Sequence, residues 1–161
     1  MLKARVLTAI ALLIGLLSAL LLLPAGGWLV LCALICGGAA WEWGGLAAFG
    51  RPARVGLAIS FALVCLLTGY WAGLTGHVLP ALTDLGPFYV VSALFWLGVI
   101  PVWLSRKWRL NSPALAVLVG LVVLVPPALA LAHLRLIDPW VLLVAMAVVW
   151  VADIAAYFSG R

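Results

Sequence analysis

Long apolar stretches separated by short polar segments run along the whole chain. A helix needs about 20 mainly apolar residues to cross a bilayer core of about 30 Å. Six stretches meet that requirement: residues 6–23, 27–49, 55–72, 87–104, 113–134 and 139–158. The pattern predicts an all-α, polytopic integral membrane protein with about six transmembrane helices, which form a single transmembrane domain over residues 1–161.

The first stretch has features of a secretory signal peptide, because Lys3 and Arg5 precede it. Its apolar run is longer than the apolar region of such a signal, and a second span follows at once. We therefore predict that the first stretch is a retained helix.

Prolines mark four of the predicted helix starts, where the missing N–H costs no helical hydrogen bond. They stand in the dipeptides Arg51-Pro52, Gly86-Pro87, Ser112-Pro113 and Asp138-Pro139. Short polar side chains that precede a helix accept hydrogen bonds from its first N–H groups. Asp138, and either Asn111 or Ser112, are therefore predicted N-caps. The pair Pro126-Pro127 predicts a kink in the fifth span.

The positive charges predict the topology. Of nine Lys and Arg residues, eight fall on one side of the predicted spans: Lys3, Arg5, Arg51, Arg54, Arg106, Lys107, Arg109 and Arg161. Arg135 alone falls on the other side. Because cytoplasmic loops carry the excess of Lys and Arg, both termini are predicted to be cytoplasmic.

Composition excludes several classes of protein. The chain is 68% hydrophobic and 8% charged, whereas an average soluble domain is about 25% charged, so a water-soluble globule is excluded. The net charge of +5 is spread over loops, and we expect no nucleic-acid partner. All three cysteines lie in apolar runs, which argues against a disulfide framework or a zinc knuckle. The chain has no Walker A, G-x-G-x-x-G, H-E-x-x-H or G-x-S-x-G motif.

Small residues crowd the second span and the end of the sixth. In membranes such residues let helix backbones approach closely. We therefore expect close helix packing at both places.

Two carboxylates lie within predicted spans, where an ionisable residue is by default a functional candidate. Glu42 precedes Arg51 by nine residues and Asp153 precedes Arg161 by eight, which puts both acids on the order of 12–13 Å from cytoplasmic charges. Two acids at similar depth could share a cation. For Glu42, which stands between two tryptophans, an interfacial side chain that reaches the lipid head groups is an equal alternative.

Asp153 belongs to a pattern with helical spacing. Asp153, Ala156, Tyr157 and Gly160 follow i, i+3, i+4, i+7 and share one helix face, and Arg161 comes next. That face offers a metal ligand, a hydroxyl donor and a place where a phosphate can approach the backbone. A tyrosine–aspartate hydrogen bond beside a glycine packing notch is the structural alternative.

At these residues the chain resembles a known family. Residues 153–161 resemble the D-x-x-A-Y-x-x-G-[RK] segment of bacterial phosphatidate cytidylyltransferases. Residues 1–9 are similar to that family's opening, and Ala40-Trp41-Glu42-Trp43 resembles the A-W-E-W of its second helix. The three features occur in the family's order, and the resemblance covers both ends of the chain and the hydropathy between them.

The resemblance implies an activity: transfer of CMP from CTP to phosphatidate, giving CDP-diacylglycerol and pyrophosphate in phospholipid biosynthesis. It implies Mg²⁺ as cofactor, CTP, phosphatidate and membrane lipid as partners, and a multi-pass protein of the bacterial inner membrane; a homodimer is left open. By the same resemblance Asp153 is a candidate metal ligand, with Glu42 a weaker one. Tyr157, Gly160 and Arg161 are candidates for the nucleotide side.

The resemblance leaves the catalytic residues unassigned. In the family the chain continues beyond the Gly-Arg pair, and most of the expected metal and phosphate ligands would lie beyond Arg161. We therefore expect an amino-terminal portion of such an enzyme, inactive on its own. Arg106, Lys107 and Arg109 could attract anionic lipid or CTP, although a cluster that only sets topology is the simpler interpretation.

Two other classes of function remain. One is a small transporter that uses Glu42 and Asp153 as an ion site; no inverted repeat or matching pair of broken helices supports it. The other is a non-catalytic membrane scaffold that assembles through the small-residue faces.

Overall fold

The computed structural model describes residues 2–76, 82–108 and 112–160, with the side chains of residues 2–6 and 82–84 left undescribed. Seven α-helices make up nearly all of this part: α1 Leu2–Leu22, α2 Ala25–Leu46, α3 Arg51–Trp71, α4 Leu82–Leu94, α5 Ile100–Arg106, α6 Pro113–Ile137 and α7 Pro139–Ser159. A π-helical segment, Phe95–Val99, joins α4 to α5. The described residues contain no strand, which confirms the all-α class.

Within the described residues, five helices are long and apolar enough to cross a membrane: α2, α3, the continuous Leu85–Arg106 segment, α6 and α7. Within α1 the described apolar stretch, Leu7–Leu22, is shorter than these five helices. Each predicted stretch therefore coincides with a helix, and the chain is a multi-pass membrane protein. Six spans and cytoplasmic termini remain predictions.

Proline placement agrees with the sequence at three of the four predicted starts. Pro52, Pro113 and Pro139 lie in the first turn of α3, α6 and α7. The predicted start at Pro87 is wrong, because α4 begins at Leu82 and contains this proline. A proline so near the start of a helix removes one hydrogen bond and leaves most of the helix intact.

The π-helical segment ends at Val99, two residues before Pro101. In a regular α-helix the Pro101 ring would meet the carbonyl of Leu97, and that carbonyl would lose its donor. A π-helical turn is a recognised way to admit such a disturbance without ending the helix. The span therefore continues to Arg106.

The two candidate N-caps behave differently. The Asp138 carboxylate accepts a hydrogen bond of 2.8 Å from the Trp140 backbone N–H and caps α7, as predicted. Ser112 occupies the N-cap position of α6, but its side chain makes no capping bond. Asn111 lies outside the described residues.

The packed core centres on α2, which contacts α3 along most of its length and α6 on another side. Gly37 makes the close approach possible: a Cβ there would lie 2.9 Å from the Ala58 carbonyl oxygen. The prediction of close packing is confirmed for α2. For the end of α7 it is wrong within the described structure, because residues 147–160 are exposed.

At the end of α6, Arg135 holds the turn between α1 and α2. Its Nε donates to the Leu20 carbonyl oxygen at 2.8 Å, and Nη2 donates to the Leu23 carbonyl oxygen. The last carbonyls of a helix lack helical donors and attract a cation. The guanidinium carbon also lies 5.3 Å from the centre of the Trp28 ring. The lone positive charge on the predicted outer side thus has a structural role.

Candidate functional site

Helix α7 places Asp153 and Tyr157 on one face near its carboxyl-terminal end. The helix is continuous from Pro139 to Ser159, so the predicted i, i+4 spacing holds. Both side chains are exposed, and Tyr157 is 60% exposed. Only the first half of α7 packs against the rest of the protein, through Leu142, Leu143 and Met146.

Gly160 ends α7 on the same face. Its N–H donates to the Ala156 carbonyl oxygen at 3.0 Å, which closes the last turn. The Tyr157 ring packs edge-on against Phe158, with ring centres 5.6 Å apart. Arg161 lies outside the described residues, so its predicted position beside this face stays a prediction.

The predicted second acid, Glu42, already has a partner within the protein. Its Oε1 lies 3.9 Å from Nη2 of Arg54, and the Glu42 side chain is 77% exposed. Arg54 also donates from Nε to the Trp41 carbonyl oxygen at 3.0 Å, and its guanidinium carbon lies 4.2 Å from the Trp41 ring centre. An ion pair this exposed contributes little to stability by itself. The carbonyl and ring contacts are what tie the end of α2 to the start of α3.

Gly45 leaves space for the Arg54 guanidinium. A Cβ at Gly45 would lie 3.1 Å from the guanidinium carbon of Arg54. The absence of a side chain therefore lets the arginine lie flat on α2. Sequence reasoning missed this contact and treated Arg54 only as a topology charge. The adjacent glycines after a tryptophan were the available signal.

The structure does not bring the two acids together. Glu42 pairs with α3, whereas α7 packs mainly on α6. The hydrogen bonds and ion pairs of the described residues leave the Asp153 carboxylate without a protein partner. Of the two acids, only Glu42 has an ion-pair partner among the described residues.

The described residues contain no cluster of three or more His, Cys, Asp or Glu side chains able to hold a metal ion. Asp153 supplies one exposed carboxylate. That fits the mode in which Mg²⁺ binds one or two carboxylates, keeps several waters and takes its other ligands from substrate phosphates. It does not fit a metal cage built from protein ligands alone.

The basic cluster after α5 is exposed. Arg106 occupies the last turn of α5, and Lys107 ends the helix in a left-handed conformation with φ 51°. Such a conformation is uncommon for a residue with a side chain and turns the chain sharply at this point. Arg109 lies outside the described residues.

Comparison with known proteins bears on the classes of function that the sequence left open. The model of the cytidylyltransferase family matches residues 3–161. The chain belongs to that family. The predicted resemblance to this family is thereby confirmed, and neither the transporter nor the scaffold is favoured. Enzymes that transfer nucleotides commonly use a divalent metal ion.

One curated relative is the phosphatidate cytidylyltransferase of Pseudomonas aeruginosa, 30% identical over 167 residues. The alignment covers 100% of this chain and 58% of that protein, so the chain spans a little over half of the relative's length. No solved structure matches the chain.

Proposed function

We propose that the protein acts in the transfer of CMP from CTP to phosphatidate, yielding CDP-diacylglycerol and pyrophosphate. Membership of the cytidylyltransferase family supports nucleotide transfer. The name of the Pseudomonas relative supports phosphatidate as the acceptor. The apolar helices support a membrane enzyme with a lipid substrate.

The observation that carries the proposal is the exposed face of α7. It presents a carboxylate without a protein partner and a tyrosine hydroxyl four residues apart at the end of a spanning helix. The positive-inside rule predicts that this end lies at the cytoplasmic surface. There a water-soluble nucleotide from the cytoplasm can meet a lipid phosphate from the inner leaflet.

In the proposed reaction a phosphate oxygen of phosphatidate attacks the α-phosphorus of CTP and displaces pyrophosphate. A bound Mg²⁺ would neutralise part of the polyphosphate charge. The Asp153 carboxylate would hold the ion, and Tyr157 would donate a hydrogen bond to a phosphate oxygen. Gly160 lets the polyphosphate approach the backbone, and Arg161 would add a cation beside it.

The remaining expectations belong to the same proposal. Glu42 is a weaker metal candidate because it already pairs with Arg54. Arg106, Lys107 and Arg109 would raise the local concentration of anionic substrates. The protein would reside in the bacterial inner membrane as one transmembrane domain, and a homodimer is compatible with the exposed face of α7. Since the described residues offer the metal a single free carboxylate, we expect residues 1–161 to be inactive alone.

The test is an assay of CDP-diacylglycerol formation in membranes that carry the native gene product. Asp153→Asn should lower the rate by at least about 10-fold, because it removes a ligand charge. Asp138→Asn is the matched control: asparagine caps a helix as well as aspartate does, so activity should be retained. Equal activity of both variants would refute the role of Asp153. Asp153-dependent ion transport without CTP turnover would instead support a transporter.

A further inference from the structure

Two cavities lie along the same side of the helix bundle, between α3 and α6. One, of about 730 Å³, opens near the start of both helices and is bordered by Gly50, Ala53, Ser60 and Pro113. The other, of about 420 Å³, lies deeper, where α4 adds Phe88 and Val91 to the lining. Neither belongs to the face of α7 described above.

The two cavities form one groove. Val64 of α3 and Leu121 of α6 line both of them. Gly50 and Val64 are fourteen residues apart on the chain, which at 1.5 Å per residue gives about 21 Å of groove. One leaflet occupies about half of a 30 Å hydrocarbon core, or about 15 Å. The groove is therefore long enough for a whole acyl chain of the leaflet at its mouth.

The lining of the groove changes from mixed to wholly apolar with depth. The deep part is bordered only by apolar side chains. The mouth includes Ser60 and Gly50, and none of the described residues that line either part is acidic. This gradient matches a molecule with a polar head and a hydrocarbon tail.

Charge at the mouth favours a negative head group. The exposed Arg51 directly follows Gly50, which lines the mouth. The neighbouring Arg54 shares its charge with Glu42, so Arg51 is the available cation. By the positive-inside rule this end of the groove opens into the cytoplasmic leaflet, where a polybasic surface attracts anionic lipid.

We propose that this groove binds one anionic phospholipid of the cytoplasmic leaflet. Its acyl chain lies between α3 and α6 past Val64 and Leu121, and its phosphate sits at the mouth beside Arg51. The identification of this lipid as the phosphatidate substrate rests on the proposed function; the binding itself does not.

Photolabelling tests the binding without CTP. The native protein in phosphatidylcholine nanodiscs receives phosphatidate that carries a diazirine on its acyl chain, and the labelled peptides are sequenced. Labelling should concentrate at residues 60–64 and 121–126, relative to the exposed residues 147–151 of α7. Excess unlabelled phosphatidate should reduce the groove signal several-fold, and added phosphatidylcholine should not. Uniform labelling of all exposed apolar faces would overturn the proposal.

A blocking variant adds a second readout. Val64→Trp fills the point that both cavities share and should reduce groove labelling by about 10-fold. Leu63→Trp is the matched control, because Leu63 directly precedes Val64, is 49% exposed and lines neither cavity. Equal labelling of the two folded variants would overturn the proposal. If Val64→Trp folds poorly, Arg51→Gln replaces it and should weaken the selectivity of labelling for phosphatidate; unchanged selectivity would then overturn the proposal.

Kinetics decide the identity of the lipid. If it is the substrate, Val64→Trp should raise the KM for phosphatidate about 10-fold and leave the KM for CTP unchanged. Groove labelling with an unchanged KM would overturn the substrate assignment. CDP-diacylglycerol formation with uniform labelling would refute the groove and leave the proposed function standing. Groove labelling without any CTP turnover would support the groove and refute the proposed function.

Discussion

The Ser92 hydroxyl donates a hydrogen bond of 3.2 Å to the Val122 carbonyl oxygen. In a regular helix that carbonyl would accept from the backbone N–H four residues on, but the residue there is Pro126, which has none. Helix α4 thus supplies the donor that α6 lacks. Within a bilayer no water is present to replace it, which makes Ser92 the residue that compensates for the proline.

Removal of this hydroxyl should destabilise the protein measurably. We expect Ser92→Ala to lower the free energy of unfolding by about 1 kcal/mol, the usual magnitude for a hydrogen bond between membrane helices. Denaturation of the purified protein in bicelles measures it. Ser105→Ala is the control, because the exposed Ser105 bonds only the Val102 carbonyl of its own helix.

A double-mutant cycle checks the assigned cause. Pro126→Ala restores a helical donor to the Val122 carbonyl, so Ser92→Ala should cost less in that background than in the native one. An equal cost in both backgrounds would show that Ser92 acts through packing alone.

Two adjacent glycines of α2 should respond oppositely to alanine. A Cβ at Gly37 would lie 2.9 Å from the Ala58 carbonyl oxygen, so α3 would have to move away. At Gly38 nothing lies within 4 Å of the added Cβ. We expect Gly37→Ala to cost about 1–3 kcal/mol of stability, as overpacking does. Gly38→Ala should be neutral or stabilising by about 0.5–1 kcal/mol.

Thermal unfolding in detergent distinguishes these two variants. A lower melting temperature for Gly37→Ala alone would support the close approach of α2 and α3. Similar melting temperatures would mean that the two helices are farther apart than the Gly37–Ala58 contact requires.

Arg135 should not be replaceable by lysine. Its guanidinium donates to two carbonyls, Leu20 and Leu23, in a fixed fork that an ammonium group does not reproduce. Hydrogen bonds to charged groups contribute about 1.5–3 kcal/mol each. We expect Arg135→Lys to raise backbone hydrogen exchange at the end of α1. Arg51→Lys, at an exposed position, should leave that exchange unchanged. Unaltered exchange in Arg135→Lys would contradict the proposal that the Arg135 guanidinium stabilises the end of α1.

The sequence predicts features that depend on neighbouring residues. Apolar runs long enough to span a bilayer predict the helical segments, because the backbone has no other donor or acceptor in lipid. The Asp138 cap is equally local, with its acceptor two residues from the donor. The start at Pro87 fails because a proline is tolerated in the early turns of a helix as well as before it.

Contacts between distant helices leave no such pattern. Arg135 and Leu20 are 115 residues apart, and only the fold brings them together. The candidate site also has features that the sequence predicts and features that it does not. Periodicity predicts that Asp153 and Tyr157 share a face of α7. The pairing of Glu42 with Arg54 depends instead on the tight turn between α2 and α3, which hydropathy does not encode.

The last prediction concerns the hydroxyl of Tyr157. If that hydroxyl donates to a phosphate oxygen of CTP, its loss should cost about 1.5–3 kcal/mol of binding to a charged acceptor, which is about 10- to 100-fold in kcat/KM for CTP. Tyr157→Phe keeps the ring that packs edge-on against Phe158, so this ring contact should be unchanged. Tyr70→Phe is the matched control, since Tyr70 is 65% exposed and lies at the opposite end of the membrane by the predicted topology. An equal effect of the two substitutions would remove Tyr157 from the nucleotide side and leave the proposed role of Asp153 unaffected.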